Sequence, residues 1–111
     1  MAYDDQNIFA KILRAEAPAF KVYEDEFSLA FMDVMPQVDG HTLVIPKDAT
    51  ENLHEADPEI LGRTIVNVQK VAAAVKKAFD SPGITIAQLN GKAAGQTVFH
   101  LHFHILPRKD G

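Results

Sequence analysis

The sequence predicts an α+β fold, a largely antiparallel five-stranded sheet with two main helices packed on it. Three observations carry that expectation. The segments run helix, three strands, helix, two strands, without the regular strand-helix alternation that builds a doubly wound parallel sheet. The chain has 111 residues, 47% hydrophobic and 23% charged, which suits one domain, 1–111, around one core. No internal repeat, low-complexity run or linker divides it.

The elements follow from local pattern. Asp4 or Asp5 offers an N-cap for a first helix in QNIFAKILRAEA, which places Ile8, Phe9, Ile12 and Leu13 on one side, and Pro18 marks its end. FKVY and SLAFMD read as strands joined by an acidic turn, EDEF. MPQVDG has the proline and glycine of a loop, and HTLVIP forms a third strand stopped by proline. Asp57 before Pro58 caps the long helix. Along it, Leu61, Ile65, Val68, Ala72, Val75 and Phe79 repeat at alternating steps of four and three, a stripe expected to face the core. SPG ends that helix, GITIAQL is a fourth strand, NGKAAG a turn, and TVFHLHFHILP a fifth strand closed by Pro107.

Composition narrows the function. With no cysteine, a disulfide framework, thiolate metal ligands and a thiol nucleophile are excluded together, and a reducing compartment, the cytoplasm, is the expected setting. The acidic start MAYDDQN is unlike a secretory signal, and the longest apolar run, VAAAV, is far too short for a membrane span of about 20 residues. Eleven Lys and Arg against fifteen Asp and Glu give a net charge of −4, so neither a nucleic-acid polymer nor a membrane is an expected partner.

The chemistry concentrates in HLHFHIL. Side chains alternate across a strand, so His100, His102 and His104 share one face, about 6.5 to 7 Å apart, while Leu101, Phe103 and Ile105 face the core. Three readings are open: ordinary polar residues on a solvated face, a zinc site, or a nucleophilic imidazole that attacks phosphorus. The last requires a phosphate site nearby. The turn NGKAAGQT, which feeds the strand, supplies one if the backbone at Gly91 and Gly95 approaches an anion and Gln96 and Thr97 donate to it; an ordinary hairpin turn is the alternative.

AAGQTVFHLHFHIL is similar to the signature of the histidine triad (HIT) family, His-φ-His-φ-His-φ-φ with φ apolar, and matches it at every position. IFAKILRAEAPAFKVYEDE, LAFMDVMPQVDGHTLVIPK and AAGQTVFHLHFHILPR also resemble, in order, the nucleoside phosphoramidate hydrolase branch of that family. The resemblance implies a HIT-like fold that binds a purine nucleotide or nucleoside phosphoramidate and cleaves it at the α-phosphate through a nucleotidyl-histidine intermediate. It makes His102 the nucleophile, puts His104 on the phosphate and near the leaving group, has His100 orient its neighbour through its carbonyl, and makes His41 the fourth histidine. Asp33 would take the ribose hydroxyls, and Ile8, Phe9, Ile12, Phe31 and Val34 would enclose the base. Where relatives carry Asn or Gln, this chain has Leu89, for which Asn90 would substitute, beside Gly95, Gln96 and Thr97 at the phosphate. The positions matching a zinc-binding cysteine pair in some relatives are Asn7 and Ala10, so neither metal nor cofactor is expected. A homodimer formed by sheet extension and helix packing is implied as well. A dinucleoside polyphosphate hydrolase, or a nucleotide-binding or scaffolding module with residual hydrolysis, is the competing reading.

Overall fold

The computed structural model describes residues 2–110. Its elements are α1 (Ile8–Leu13), β1 (Lys21–Glu24), β2 (Ser28–Met32), β3 (Thr42–Pro46), α2 (Pro58–Ala78), β4 (Gly83–Ala87), a 3-10 turn (Lys92–Ala94) and β5 (Phe103–Arg108). The strands form one five-stranded antiparallel sheet in the order β1-β2-β3-β5-β4, as the element order implied. The last strand in the chain is therefore inserted beside β3, and β4 lies at an edge.

Both faces of the central strands are covered, and residue alternation decides which face each side chain enters. On one face Ala30, Val44, Leu101, Phe103 and Ile105 pack with Val68, Val71 and Val75 of α2. On the other Leu29, Phe31, Leu43 and Ile45 pack with Phe9 and Ile12 of α1. The register pairs Leu29 with Ile45 and Phe31 with Leu43, so each row meets its own kind across the ladder. His104 stands opposite Leu43, which puts it on the α1 face.

Three details depart from the sequence reading. The cap of α1 is Asn7, whose side chain accepts the Ala10 N–H at 2.9 Å, and not Asp4 or Asp5. In α2, capped as expected by Asp57 with Pro58 following, Ile65 and Phe79 are 45% and 37% exposed while Thr64 and Asn67 are buried. The Thr64 hydroxyl donates to the Ile60 carbonyl and Asn67 donates to Asp25 and Ser28, so hydrogen-bonded polar groups take part of the face assigned to apolar ones. Finally, β5 begins at Phe103, and His100 and His102 precede it in irregular backbone. There the Leu101 N–H bonds to the Thr50 carbonyl at 2.9 Å, outside the sheet ladder.

Asn67 joins α2 to the turn between β1 and β2, where Asp25 Oδ1 also receives the N–H groups of Phe27 and Ser28. Asn67→Ala leaves the buried Ser28 hydroxyl without this partner and removes a donor from the half-buried Asp25 carboxylate, so it is expected to destabilise the protein by about 1 to 3 kcal/mol. Urea unfolding should show a lower midpoint with an unchanged slope; an unchanged midpoint would count against this bridge.

Candidate active site

Three of the five histidines, His41, His102 and His104, converge where the start of β3 and the start of β5 meet, and His100 adjoins them against Pro46 at the end of β3. His41 immediately precedes β3, held by its N–H to the Val38 carbonyl at 3.2 Å. Gly40 before it adopts φ +87, and an added Cβ would come within 2.7 Å of the Phe79 ring, so the backbone there requires glycine. The Asp33 N–H bonds to the His41 carbonyl at 3.0 Å, which brings the acid beside the imidazole. The His102 and His104 ring centres are 5.0 Å apart, closer than a straight strand would set them, and those of His41 and His104 are 5.1 Å apart.

The expectation that the histidine face lies outside the core is corrected. His100 is 0% and His102 6% exposed, because Phe9 of α1 covers them, with its ring 4.9 Å from that of His102. Burial is the first cause lowering the pKa of all four imidazoles, and His104 is held down to about 4, with His102 and His41 adding to the effect. The site is built from neutral rings.

Neutral rings have one N–H each, and their neighbours dictate where it sits. His102 Nδ1 lies 2.7 Å from the His100 carbonyl, which only accepts, so Nδ1 carries the proton and Nε2 keeps its lone pair. His41 Nδ1 accepts the Gln37 N–H at 3.1 Å, so its proton is on Nε2. That Nε2–H points to His104 Nδ1 at 2.9 Å, which leaves His104 protonated at Nε2. His102 and His104 are therefore adjacent imidazoles of opposite tautomer, one presenting a lone pair and the other an N–H. Such a pair can attack an electrophile and donate a hydrogen bond to it.

The other expected site residues divide. Phe9, Ile12 and Phe31 are buried in one cluster that reaches His102 through Phe9, whereas Ile8 and Val34 are 46% and 84% exposed. Ile8 and Thr97 line a depression of about 400 Å³ with Asn7, Glu51, Val98 and Phe99. Asp33 Oδ1 accepts the Met35 N–H at 2.9 Å, and Oδ2 lies 3.5 Å from His41 Nε2. In the turn, the Ala94, Gly95 and Gln96 amides bond to carbonyls of Gly91 and Lys92. The Gln96 side chain donates to the Glu51 and Val98 carbonyls and accepts the Gly91 N–H, while Asn90 is bonded to Gln88 and the Leu53 N–H. These amides brace the turn and tie it to the segment at Glu51 and Leu53. The donor atoms of Asp33, His41 and His104 lie within 4.8 Å of one another, a set able to hold a divalent metal, though the proton shared by the two histidines would have to leave first. Sequence reasoning missed Tyr3, whose hydroxyl reaches His100 Nδ1, and the backbone partners Gln37 N–H and Pro46 C=O.

The neutral rings make stability depend on pH. Unfolded, His104 titrates near 6.5, and folded it is held at about 4, so between these values the unfolded chain binds more protons. The stability this group supports is complete above its unfolded pKa and is lost as pH falls through the window toward about 4. The melting temperature should fall between pH about 6.5 and about 5, above the carboxylate range, and His104→Asn should flatten that fall. A melting temperature constant across the window in the unsubstituted protein would contradict it.

A HIT domain model matches residues 14–111. The Hit-like protein of Bartonella henselae has a crystal structure that overlays with a TM-score of 0.97 at 59% identity, covering 99% of this chain and 84% of that one. The adenosine 5'-monophosphoramidase HNT1 of Saccharomyces cerevisiae is 39% identical over 93% of this chain and 63% of its own length. The adenylylsulfatase HINT3 of Arabidopsis thaliana is 40% identical over 93% of this chain and 52% of its own. With its buried histidine cluster, its antiparallel sheet and a domain match over nearly its whole length, the chain belongs to the HIT family.

Proposed function

We propose that the protein is a nucleotidyl hydrolase that cleaves nucleoside 5'-phosphoramidates at the α-phosphate, with His102 as nucleophile. The observation that carries this reading is the opposed tautomer pair: His102 offers Nε2 as a lone pair while His104 offers Nε2–H. His102 Nε2 forms a bond to phosphorus as the P–N bond to the amine breaks, and the amine departs with a proton from solvent. The His102 ring becomes a cation whose Nδ1–H remains bonded to the His100 carbonyl, an acceptor that stabilises the charge. Water then attacks phosphorus, the N–P bond breaks, a proton is lost to solvent and the mononucleotide leaves.

His104 serves this step as a donor to a phosphate oxygen. Its other nitrogen is occupied by His41 Nε2–H, which supports phosphate contact over delivery of a proton to the leaving amine. Phe9, Ile12 and Phe31 form the floor of the base slot, with Ile8 and Val34 at its rim, and Asp33 Oδ2 takes the ribose hydroxyls. Thr97, exposed beside Ile8, extends the phosphate side, while Gly95, with its amide on the Lys92 carbonyl, joins Gln96 and Asn90 in holding the turn in shape. The names of the relatives HNT1 and HINT3 agree with an adenylyl compound as substrate. A homodimer fits the edge position of β4, with Ile86 44% exposed there and Ile65 and Val66 exposed on α2.

His102→Ala should reduce turnover of an adenosine phosphoramidate by about a thousandfold or more, with the fold intact by circular dichroism. Turnover within tenfold of the unsubstituted protein would overturn the assignment. Chelator-treated protein, metal-free by elemental analysis, should hydrolyse the same substrate at an undiminished rate. Loss on treatment and recovery with zinc would replace the nucleophile by a metal centre at Asp33, His41 and His104.

A further inference from the structure

Tyr3 lies outside the sheet and both helices, yet its hydroxyl is 2.5 Å from Nδ1 of the fully buried His100. The opposite nitrogen, Nε2, is 2.8 Å from the Pro46 carbonyl. That carbonyl only accepts, so His100 carries its proton on Nε2 and its Nδ1 accepts from the Tyr3 O–H. Asn7 Nδ2 in turn donates to the Tyr3 oxygen at 2.9 Å. The proton order is fixed along the whole chain: Asn7 to Tyr3, Tyr3 to His100, His100 to Pro46. Burial keeps each group in the form this order needs, lowering the pKa of His100 and raising that of Tyr3.

The peptide unit after His100 carries the acceptor that orients His102. It lies before the start of β5, so no ladder bond of that strand holds it. It is held instead by the Leu101 N–H on the Thr50 carbonyl and by the His100 ring, pinned at both nitrogens. We propose that Tyr3 is a positioning residue for phosphoryl transfer, its hydroxyl fixing the His100 ring and through it the backbone carbonyl that selects the His102 tautomer. This rests on His102 acting as nucleophile. The amino-terminal segment, which touches no reacting atom in this reading, then forms part of the catalytic apparatus. The edge-to-face packing of the Tyr3 and His100 rings, 5.7 Å between centres, would survive loss of the hydroxyl, which makes the bond separable from the packing.

Tyr3→Phe tests it. The variant should lower kcat for an adenosine phosphoramidate by about three- to tenfold, the worth of one hydrogen bond, with KM and the affinity for AMP within twofold of the unsubstituted protein. Nitrogen-15 NMR of the imidazoles should show one His102 tautomer, Nδ1–H, in the unsubstituted protein and a mixture in Tyr3→Phe. Asn7→Asp gives a second route, since it keeps an acceptor for the Ala10 N–H but sets a carboxylate to compete with His100 for the Tyr3 proton; the same His102 mixture is expected. A purely structural tyrosine would lower the melting temperature and leave kcat per folded molecule and the tautomer unchanged. Either variant, folded, with unsubstituted kcat and a single His102 tautomer overturns the proposal. If Tyr3→Phe does not fold, Asn7→Asp alone decides it by the same two measurements. Retained turnover in His102→Ala would remove the nucleophile reading instead, and the nitrogen-15 spectra would still report whether Tyr3 governs His102.

Discussion

The hydrogen bond from His102 Nδ1 to the His100 carbonyl spans two residues of one segment, and much of the surrounding structure serves it. The His100 carbonyl accepts from a side chain two residues ahead, in backbone that precedes the ladder of β5. The backbone leaves the ladder before Phe103, and the Thr50 carbonyl captures the Leu101 N–H in its place. The departure lets His102 fold back onto the backbone and approach His104 to 5.0 Å between ring centres. Phe9 covers the arrangement, and its own position depends on α1, capped by Asn7.

Neutrality is the second consequence of the same burial. Asp33 lies 3.5 Å from His41 and favours an imidazolium there, but desolvation outweighs it and the pKa of His41 is lowered. The Gln37 N–H pointing at Nδ1 acts in the same direction, since it offers a donor where a cation would need an acceptor. Neutral rings also have one fixed N–H each, and that of His104 is set on Nε2 by the bond its Nδ1 accepts from His41.

How much of this was legible in the residues differs by level. The antiparallel sheet and the long helix were, because element order and the Asp57-Pro58 cap are local signals. The alternation of Leu101, Phe103 and Ile105 was also readable, and these side chains do enter the α2 face. The burial of His100 and His102 was not, since it depends on α1 covering the second face of the sheet, and periodicity within one strand carries no information about what lies across from it. Thr64 and Asn67 misled the helix reading for a related reason: their partners Ile60, Asp25 and Ser28 make burial affordable, but two of the three are distant in sequence. The tautomers of His41, His100 and His102 rest on the Gln37 N–H and on the carbonyls of Pro46 and His100, backbone groups that no pattern of side chains marks.

The strand order has a bearing on how the molecule comes into being. β5 is the last element in chain order, yet it sits between β3 and β4, so a chain that stops short of Phe103 leaves those two strands without a common neighbour. The Tyr3 to His100 contact adds a closure across 97 positions, almost the full length of the polypeptide. Contacts this remote cannot form progressively as the chain is synthesised, and they make the approach to the native state slow relative to a helical bundle of equal size. His102, the carbonyl that orients it and the strand joining β3 to β4 thus all wait on the same stretch of chain, from His100 to Arg108.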